Sequence, residues 1–217
     1  MARQDKEVDK GISFLNNPDI TRVYSSELIA VRIKTSRPDV TDVSAETEGL
    51  PEYLRDNGYF VLSLTGKTPV ALRIEGMRFS YLGPALEHVS ASPSLVAFKP
   101  YPFLKESFNA SNEKQLRLLA AVQKETEEEF PGAGLIVRTW RLSELLEVGK
   151  KFFEATGIRI LGIEHGHPST WVDYQAGGKR ASVGPWLINN GLDVRFRTAD
   201  DIDWNLGLAV VTEIPRK

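Results

Sequence analysis

The chain of 217 residues is 41% hydrophobic and 26% charged, a composition typical of a folded protein and unlike that of a disordered segment. Its 27 basic and 29 acidic residues give a formal net charge of −2, which excludes the overall basic field that non-specific nucleic-acid binding requires. The absence of cysteine excludes disulfide frameworks, thiolate metal sites and cysteine nucleophiles.

The beginning of the chain predicts a polar N-terminal arm over residues 1–20, followed by a single α+β domain over residues 21–217. The arm lacks the apolar centre of a signal peptide, and no apolar run along the chain approaches the ~20 residues of a membrane-spanning helix. We therefore expect a soluble, cytoplasmic protein with no membrane association and no strong tendency to bind nucleic acid.

The first part of the domain carries mostly β signals. Branched apolar residues predict a strand over residues 28–34, and Pro51, at a first helical position, predicts a short helix over residues 51–56. Residues 59–64 and 70–75 are apolar runs on either side of a short glycine-containing connection. This arrangement predicts a β-hairpin.

Residues 77–82 predict a third strand, which is followed by a long proline-containing segment over residues 83–112. Within that segment, only residues 95–98 have the composition of a strand. A connection of this length is typical of a functional loop, a lid, or a region that holds a further element, and the sequence leaves all three open. Asn112 then caps a predicted helix over residues 113–130.

The centre of the chain predicts a strand–helix–strand unit over residues 134–164. A strand over residues 135–140 precedes a helix that Ser143 caps and Gly157 ends, and a second strand follows over residues 158–163. Such a unit normally joins two parallel strands by a right-handed crossover.

The C-terminal part returns to β signals. Residues 186–188 and 192–197 flank the turn sequence Asn189-Asn190-Gly191 and predict a hairpin, and residues 206–214 form a final apolar strand. Together these elements predict an α+β fold: a single domain with a mixed sheet and one central βαβ unit flanked by antiparallel hairpins.

The most informative polar feature is a pair of histidines, His165 and His167, directly after the predicted strand over residues 158–163. Side chains alternate along an extended chain, so both imidazoles point to the same side, and Pro168 favours an extended conformation at His167. Open α/β sheets bind ligands at the carboxyl ends of their parallel strands. With the adjacent Glu164, the pair predicts a catalytic site based on histidine acid–base chemistry.

The same pair predicts a site for one divalent metal ion if a third protein ligand lies nearby. Asp173 is the first candidate for that ligand and His88 is the alternative, because Glu164 points to the opposite side on an ideal strand. A different interpretation is that the histidines are structural loop residues. The protein is then a non-catalytic module for ligand sensing or protein interaction.

A second pattern involves two H-x-S motifs, His88-Val89-Ser90 and His167-Pro168-Ser169. These paired motifs are similar to those of the two-histidine phosphoesterases, a bilobal α+β family that cleaves 2′,3′-cyclic phosphates and related RNA ends. The resemblance implies that each histidine serves as acid or base and that each serine binds phosphate. It covers only these two motifs, and the family's motifs lie inside apolar strands, whereas Glu87 and Pro168 interrupt that pattern here.

Further candidates for ligand contacts lie close to the histidine pair in the sequence. Trp171 predicts a stacking wall if it is exposed, and Lys179 and Arg180 suit an anionic ligand. With Ser169, they favour a small hydrolase-like enzyme that acts on an anionic or phosphorylated substrate.

Gly66-Lys67-Thr68 resembles the end of a P-loop, the phosphate-binding motif of many nucleotide-binding proteins. That motif requires a glycine five residues before Gly66, where Val61 stands, and it must lead into a helix. Because the sequence predicts a hairpin here, we interpret the segment as a turn.

Overall fold

The computed structural model describes residues 50–56, 59–99, 103–156, 160, 169–187, 191–198, 201–203 and 206–215. The predicted N-terminal arm and the predicted strand over residues 28–34 lie outside these ranges, as does the strand over residues 158–163 except for Ile160, which is in a turn. Within the described ranges, no helix is both long enough and apolar enough to cross a membrane.

Nine strands and four α-helices make up the described part of the chain, which confirms the α+β class. The elements are α1 (Leu50–Asp56), β1 (Phe60–Leu64), α2 (Pro69–Ile74), β2 (Phe79–Leu82), β3 (Ser94–Phe98), β4 (Phe103–Leu104), α3 (Asn112–Glu129), β5 (Ile136–Thr139), α4 (Leu142–Thr156), β6 (Ser169–Ala176), β7 (Lys179–Leu187), β8 (Gly191–Thr198) and β9 (Leu206–Ile214). Short 3₁₀ turns span Pro84–Leu86 and Lys105–Ser107.

The strands form one mixed sheet in the order β1-β3-β9-β6-β7-β8-β2, with β4 and β5 also paired to β9. The C-terminal strand β9 pairs antiparallel with β3, β4 and β5 and parallel with β6. Its prediction from the sequence is confirmed. The predicted hairpin near the C-terminus is confirmed as well, because β7 and β8 pair antiparallel with Leu187 opposite Gly191.

The first predicted hairpin is wrong, because its second strand is the helix α2. Thr68 is the N-cap of α2, since its side-chain oxygen accepts a hydrogen bond from the Ala71 N–H at 3.3 Å. Pro69 stands in the first turn, where its missing N–H is tolerated. Strand β1 pairs instead with β3, and β2 pairs in parallel with β8 at the far end of the sheet.

The strand–helix–strand unit is present as β5, α4 and β6, but its strands run in opposite directions. Strand β5 is antiparallel to β9 whereas β6 is parallel to it. The strand predicted over residues 158–163, which is expected to run parallel to β5, lies outside the described residues except for Ile160. The predicted caps differ by one residue at α3 and by two residues at α4. Ser111, not Asn112, caps α3, and α4 begins at Leu142, which places Ser143 inside its first turn.

Helix α4 covers one face of the sheet, and α1 and α3 lie on the other. The main core contains Phe98, Trp140 and Phe152, whose rings meet edge to face at centroid distances of 5.5 Å (Phe98–Trp140) and 6.0 Å (Phe98–Phe152). On the opposite face, Leu54 of α1 packs in a cluster with Phe130, the residue that ends α3.

Candidate functional site

The histidine pair predicted as the catalytic site lies outside the described residues, as does Glu164. The prediction of a metal site formed by His165 and His167 is therefore untested. Among the residues that the structure does describe, no group of three or more His, Asp or Glu side chains is arranged to hold a metal ion.

The two residues proposed as a third ligand, His88 and Asp173, line the same open cleft, which has a volume of about 560 Å³. His88 follows the first 3₁₀ turn and Asp173 lies in β6, so the fold joins residues that are far apart in the chain. The side chains of both are exposed. The cleft is lined by Ala85, His88, Val89, Ser90, Arg141, Leu142, Asp173 and Tyr174.

The wall opposite the His88 segment is formed where β5 ends and α4 begins. The backbone N–H of Asp173 donates to the Trp140 carbonyl at 2.7 Å, which holds β6 against this junction. Arg141 and Leu142 follow directly, so the cleft borders the N-terminal end of a helix of 15 residues. The positive end of the helix dipole favours an anionic group at this position, and the carboxylate of Glu144 accepts from the Arg141 N–H there.

The guanidinium of Arg141 is held in place by two carboxylates. Its Nη1 donates to Oε1 of Glu144 at 3.0 Å, and its Nη2 lies 3.3 Å from Oε2 of Glu213. Arg138 bridges the same two carboxylates, with its Nη1 2.8 Å from Glu144 and its Nε 2.5 Å from Glu213. Because a guanidinium has five N–H donors, Arg141 keeps donors for a ligand while its position is fixed.

Glu144 is fully buried and anchors this wall of the cleft. Its Oε1 accepts a hydrogen bond from the Ser94 hydroxyl at 2.7 Å, and its Oε2 accepts one from the Arg141 N–H at 3.2 Å. Burial alone would raise the pKa of the Glu144 carboxyl, but Arg138, Ser94 and Arg141 lower it more strongly. Its pKa therefore lies below the usual value and the side chain is ionised near neutral pH.

One turn further along α4, the buried carboxylate of Glu147 is enclosed by the loop that resembles a P-loop. The backbone N–H groups of Thr65, Gly66 and Lys67 donate to it at 3.1, 2.9 and 3.3 Å, respectively. Lys151 completes the surround, with its Nζ 2.8 Å from Oε1.

This geometry corrects the interpretation of the segment as a hairpin turn. The loop does lead from a strand into a helix, and its N–H groups form a concave anion-binding nest. The anion that it holds is the protein's own carboxylate rather than a phosphate. The nest is therefore structural and is not part of the cleft.

Three of the four predicted ligand contacts are buried, namely Ser169, Trp171 and Arg180. Trp171 is 2% exposed and packs in a cluster with Leu206 and Leu208, so the condition for a stacking wall, an exposed Trp171 ring, is not met. Ser169 is 4% exposed and does not line the cleft. Ser169 therefore does not share this cleft with Ser90, as the resemblance to the two-histidine phosphoesterases would imply.

The two basic candidates differ from each other. Lys179 is exposed at the start of β7, whereas Arg180 is buried with its guanidinium 5.3 Å from the centroid of the Trp171 ring. Sequence reasoning missed Arg141 and Tyr174 as cleft residues. The available signal was the position of Arg141, which lies between a predicted strand and the predicted cap of the following helix.

The described chain is thus an α+β protein with a mixed sheet and an open polar cleft beside one helix start. Comparison with protein-family models, with curated proteins and with solved structures gave no match. A function for this chain therefore rests on the chemistry of the cleft.

Proposed function

We propose that this protein binds a small anionic ligand in the cleft lined by His88, Ser90, Arg141 and Asp173. The observation that carries the proposal is the convergence of these side chains on one cleft of about 560 Å³. Sites for small molecules have volumes of roughly 300–1,000 Å³ and contain a few placed polar groups.

The preference for an anion follows from Arg141 on the α4 side of the cleft, whose guanidinium is held in a fixed position by Glu144 and Glu213. Ser90 and Tyr174 add hydroxyl groups that donate to oxygen ligands. A phosphorylated or carboxylated compound fits this set of donors.

The first experiment measures the binding of phenyl phosphate by titration calorimetry, with sodium chloride at equal ionic strength as the reference. Removal of a hydrogen bond to a charged ligand costs about 1.5–3 kcal/mol, so His88→Ala and Ser90→Ala should weaken binding about tenfold or more. Ser92→Ala is the matched control, because Ser92 is exposed in the same segment and does not line the cleft. Equal affinity of wild type and all three variants would contradict the proposal.

A second candidate function is hydrolysis of a phosphate ester at the same cleft. It is favoured by the presence of His88 and Asp173 in one cleft, since an imidazole near a carboxylate is a common acid–base arrangement. His165 and His167 precede β6, which carries Asp173, so they remain proposed partners of His88, with or without a divalent metal ion.

Hydrolysis is tested with p-nitrophenyl phosphate, bis(p-nitrophenyl) phosphate and a 2′,3′-cyclic nucleotide, each with and without added Mg²⁺ or Zn²⁺. Loss of an acid–base group typically lowers kcat by about 10²–10⁴-fold, so His88→Ala should reduce turnover by at least about 100-fold while Ser92→Ala retains it. If the wild type turns over none of the three esters, the hydrolytic function fails while ligand binding still stands.

A further inference from the structure

Two arginines, Arg180 on β7 and Arg197 on β8, stand directly opposite each other in the sheet. Directly opposed residues of antiparallel strands have Cβ atoms about 4.5–5.5 Å apart and project from the same face. Ala181, the next residue on β7, belongs to the core beneath α4, so the two arginines project from the other face. Like charges in this arrangement repel, and the fold must compensate for them.

The guanidinium of Arg180 is buried among neutral groups. Arg180 is 7% exposed, its Nε donates to the Val172 carbonyl at 3.3 Å, and its Nη1 donates to Oδ1 of Asn112 at 3.3 Å. Among the described residues, no carboxylate forms an ion pair with it. Burial lowers the pKa of Arg180 and the more distant Asp173 offsets this only in part.

Arg197 has an incomplete set of partners. Its Nη1 lies 3.3 Å from Oδ2 of Asp203, whereas its Nε is buried and has no hydrogen-bond acceptor within the described part of the chain. A buried donor without an acceptor destabilises the folded protein, because the group loses its hydrogen bonds to water and gains none in return. The side chain as a whole is 25% exposed, so part of its guanidinium is accessible to solvent.

Both arginines border the segment that enters α3. Arg180 contacts Asn112, the first residue of this 18-residue helix, and the carbonyl of Asp203 accepts from the Asn109 N–H at 3.4 Å. The first turn of a helix presents N–H groups and a positive dipole end. Two guanidiniums and a helix start therefore converge on one small region.

We propose that Arg180, Arg197 and the first turn of α3 bind a phosphate group. Guanidinium N–H pairs match the oxygens of phosphate in a two-pronged contact, and the phosphate supplies the acceptor that Arg197 Nε lacks. Its negative charge also offsets the repulsion between the opposed arginines. None of these residues lines the His88 cleft, so this second site is separate from the site of the function proposed above.

The test is calorimetric titration with inorganic phosphate against chloride at matched ionic strength, in the wild type and in His88→Ala. In His88→Ala, binding at the cleft is weakened, so the cleft contributes less to the measured heat of phosphate binding. Arg197→Gln should weaken phosphate binding about tenfold or more in both backgrounds. Arg195→Gln is the matched control and should change the affinity less than about twofold, because Arg195 lies on the same strand but its guanidinium pairs with Asp193.

Arg180→Gln provides a second variant, and a far-UV circular dichroism melt establishes that each variant is folded. If Arg180→Gln does not fold, the comparison of Arg197→Gln with Arg195→Gln still decides the proposal. Equal loss in those two variants, or no preference of the wild type for phosphate over chloride, would overturn it. Methyl phosphate, a second probe, mimics a phosphate group carried on a larger molecule. Tighter binding of methyl phosphate than of inorganic phosphate would identify such a molecule as the ligand, and the reverse order would identify free phosphate.

Discussion

Gly66 shapes the loop that encloses the carboxylate of Glu147. Its φ of +71° lies in the left-handed region, and a Cβ added there would stand 1.9 Å from the carbonyl oxygen of Ala91. Its N–H donates to Glu147 at 2.9 Å, so the same residue both turns the chain and supplies a hydrogen bond. No residue with a side chain meets all of these requirements.

Substitution of Gly66 by alanine should lower the free energy of unfolding by more than about 3 kcal/mol, because the methyl group forces the Ala91 backbone away. Gly76→Ala is the matched control: Gly76 has a φ of +92°, but an added Cβ there meets no atom within 4 Å. In the control, the free energy of unfolding should fall only by about 1–2 kcal/mol, the cost of placing alanine in the left-handed region. Urea denaturation measures the free energy of unfolding of both variants. Equal decreases in the two variants would show that the contact with Ala91 is unimportant.

The candidate site could be predicted from the sequence only in its residue types. The sequence singled out His88 and Asp173 as chemically interesting, and both line the cleft. It could not show that Trp171 is buried, because that burial depends on packing against Leu206 and Leu208 of β9, a contact that local patterns do not encode. The sequence likewise predicted Arg180 as a contact for an anionic ligand, because it does not encode the packing of the Arg180 guanidinium over the ring of Trp171.

At the scale of elements, α4 buries charged as well as apolar side chains, and residues 142–149 are all buried. Its apolar residues Leu145, Leu146 and Phe152 are buried, and so are two glutamates of the same helix, Glu144 and Glu147. Each is surrounded by donors from other elements, so α4 is joined to the sheet by charged hydrogen bonds as well as by apolar packing. Both carboxyls consequently have a pKa below the usual value.

This arrangement predicts acid sensitivity. Burial alone would raise the pKa of Glu147, but Lys151 and the N–H groups of Thr65 and Lys67 lower it more. A carboxyl whose pKa is lowered by folding stabilises the protein above its unfolded pKa of about 4.3, and that contribution is lost as the pH falls through the folded pKa. The free energy of unfolding should therefore decrease as the pH is lowered from 6 towards 3.

Glu147→Gln should remove part of this pH dependence and cost about 3 kcal/mol at pH 7, since it leaves Lys151 and the loop N–H groups without a charged partner. Glu154→Gln, on the exposed side of the same helix, should cost about 0.5 kcal/mol or less. Urea unfolding at a series of pH values measures both variants. If the free energy of unfolding of Glu147→Gln depends on pH in the same way as that of the wild type, Glu147 does not contribute to the acid sensitivity and the prediction is wrong.

Most element positions follow from local sequence, whereas the wrong hairpin arose where local signals conflict. Residues 70–75 are apolar enough for a strand, but Thr68-Pro69 is a helix start with a cap and a favourable proline. The loop before it closes around Glu147 of α4, far along the chain, and this contact favours the helix. Six positions are too few for the spacing of apolar residues to distinguish a strand from a helix.

For the whole molecule, β9 joins the two parts of the sheet. It lies between β3 and β6 and also pairs with β4 and β5, so four segments from different parts of the chain depend on the last strand. The sequence predicted this strand but not its neighbours, because strand pairing between distant segments is set by the assembled core. The His88 cleft lies where the chain leaves β5 and β6 passes Trp140.

The most direct test of the proposed function is a map of amide chemical shifts in ¹⁵N-labelled Arg197→Gln protein during titration with phenyl phosphate. In this variant the second phosphate site is weakened, so shifts should concentrate on the amides of Ser90, Arg141 and Asp173, which line the cleft. The same titration of Arg197→Gln/His88→Ala should show these shifts only at about tenfold higher ligand concentration. Shifts confined to β7, β8 and the start of α3, with none at the cleft, would contradict the proposal.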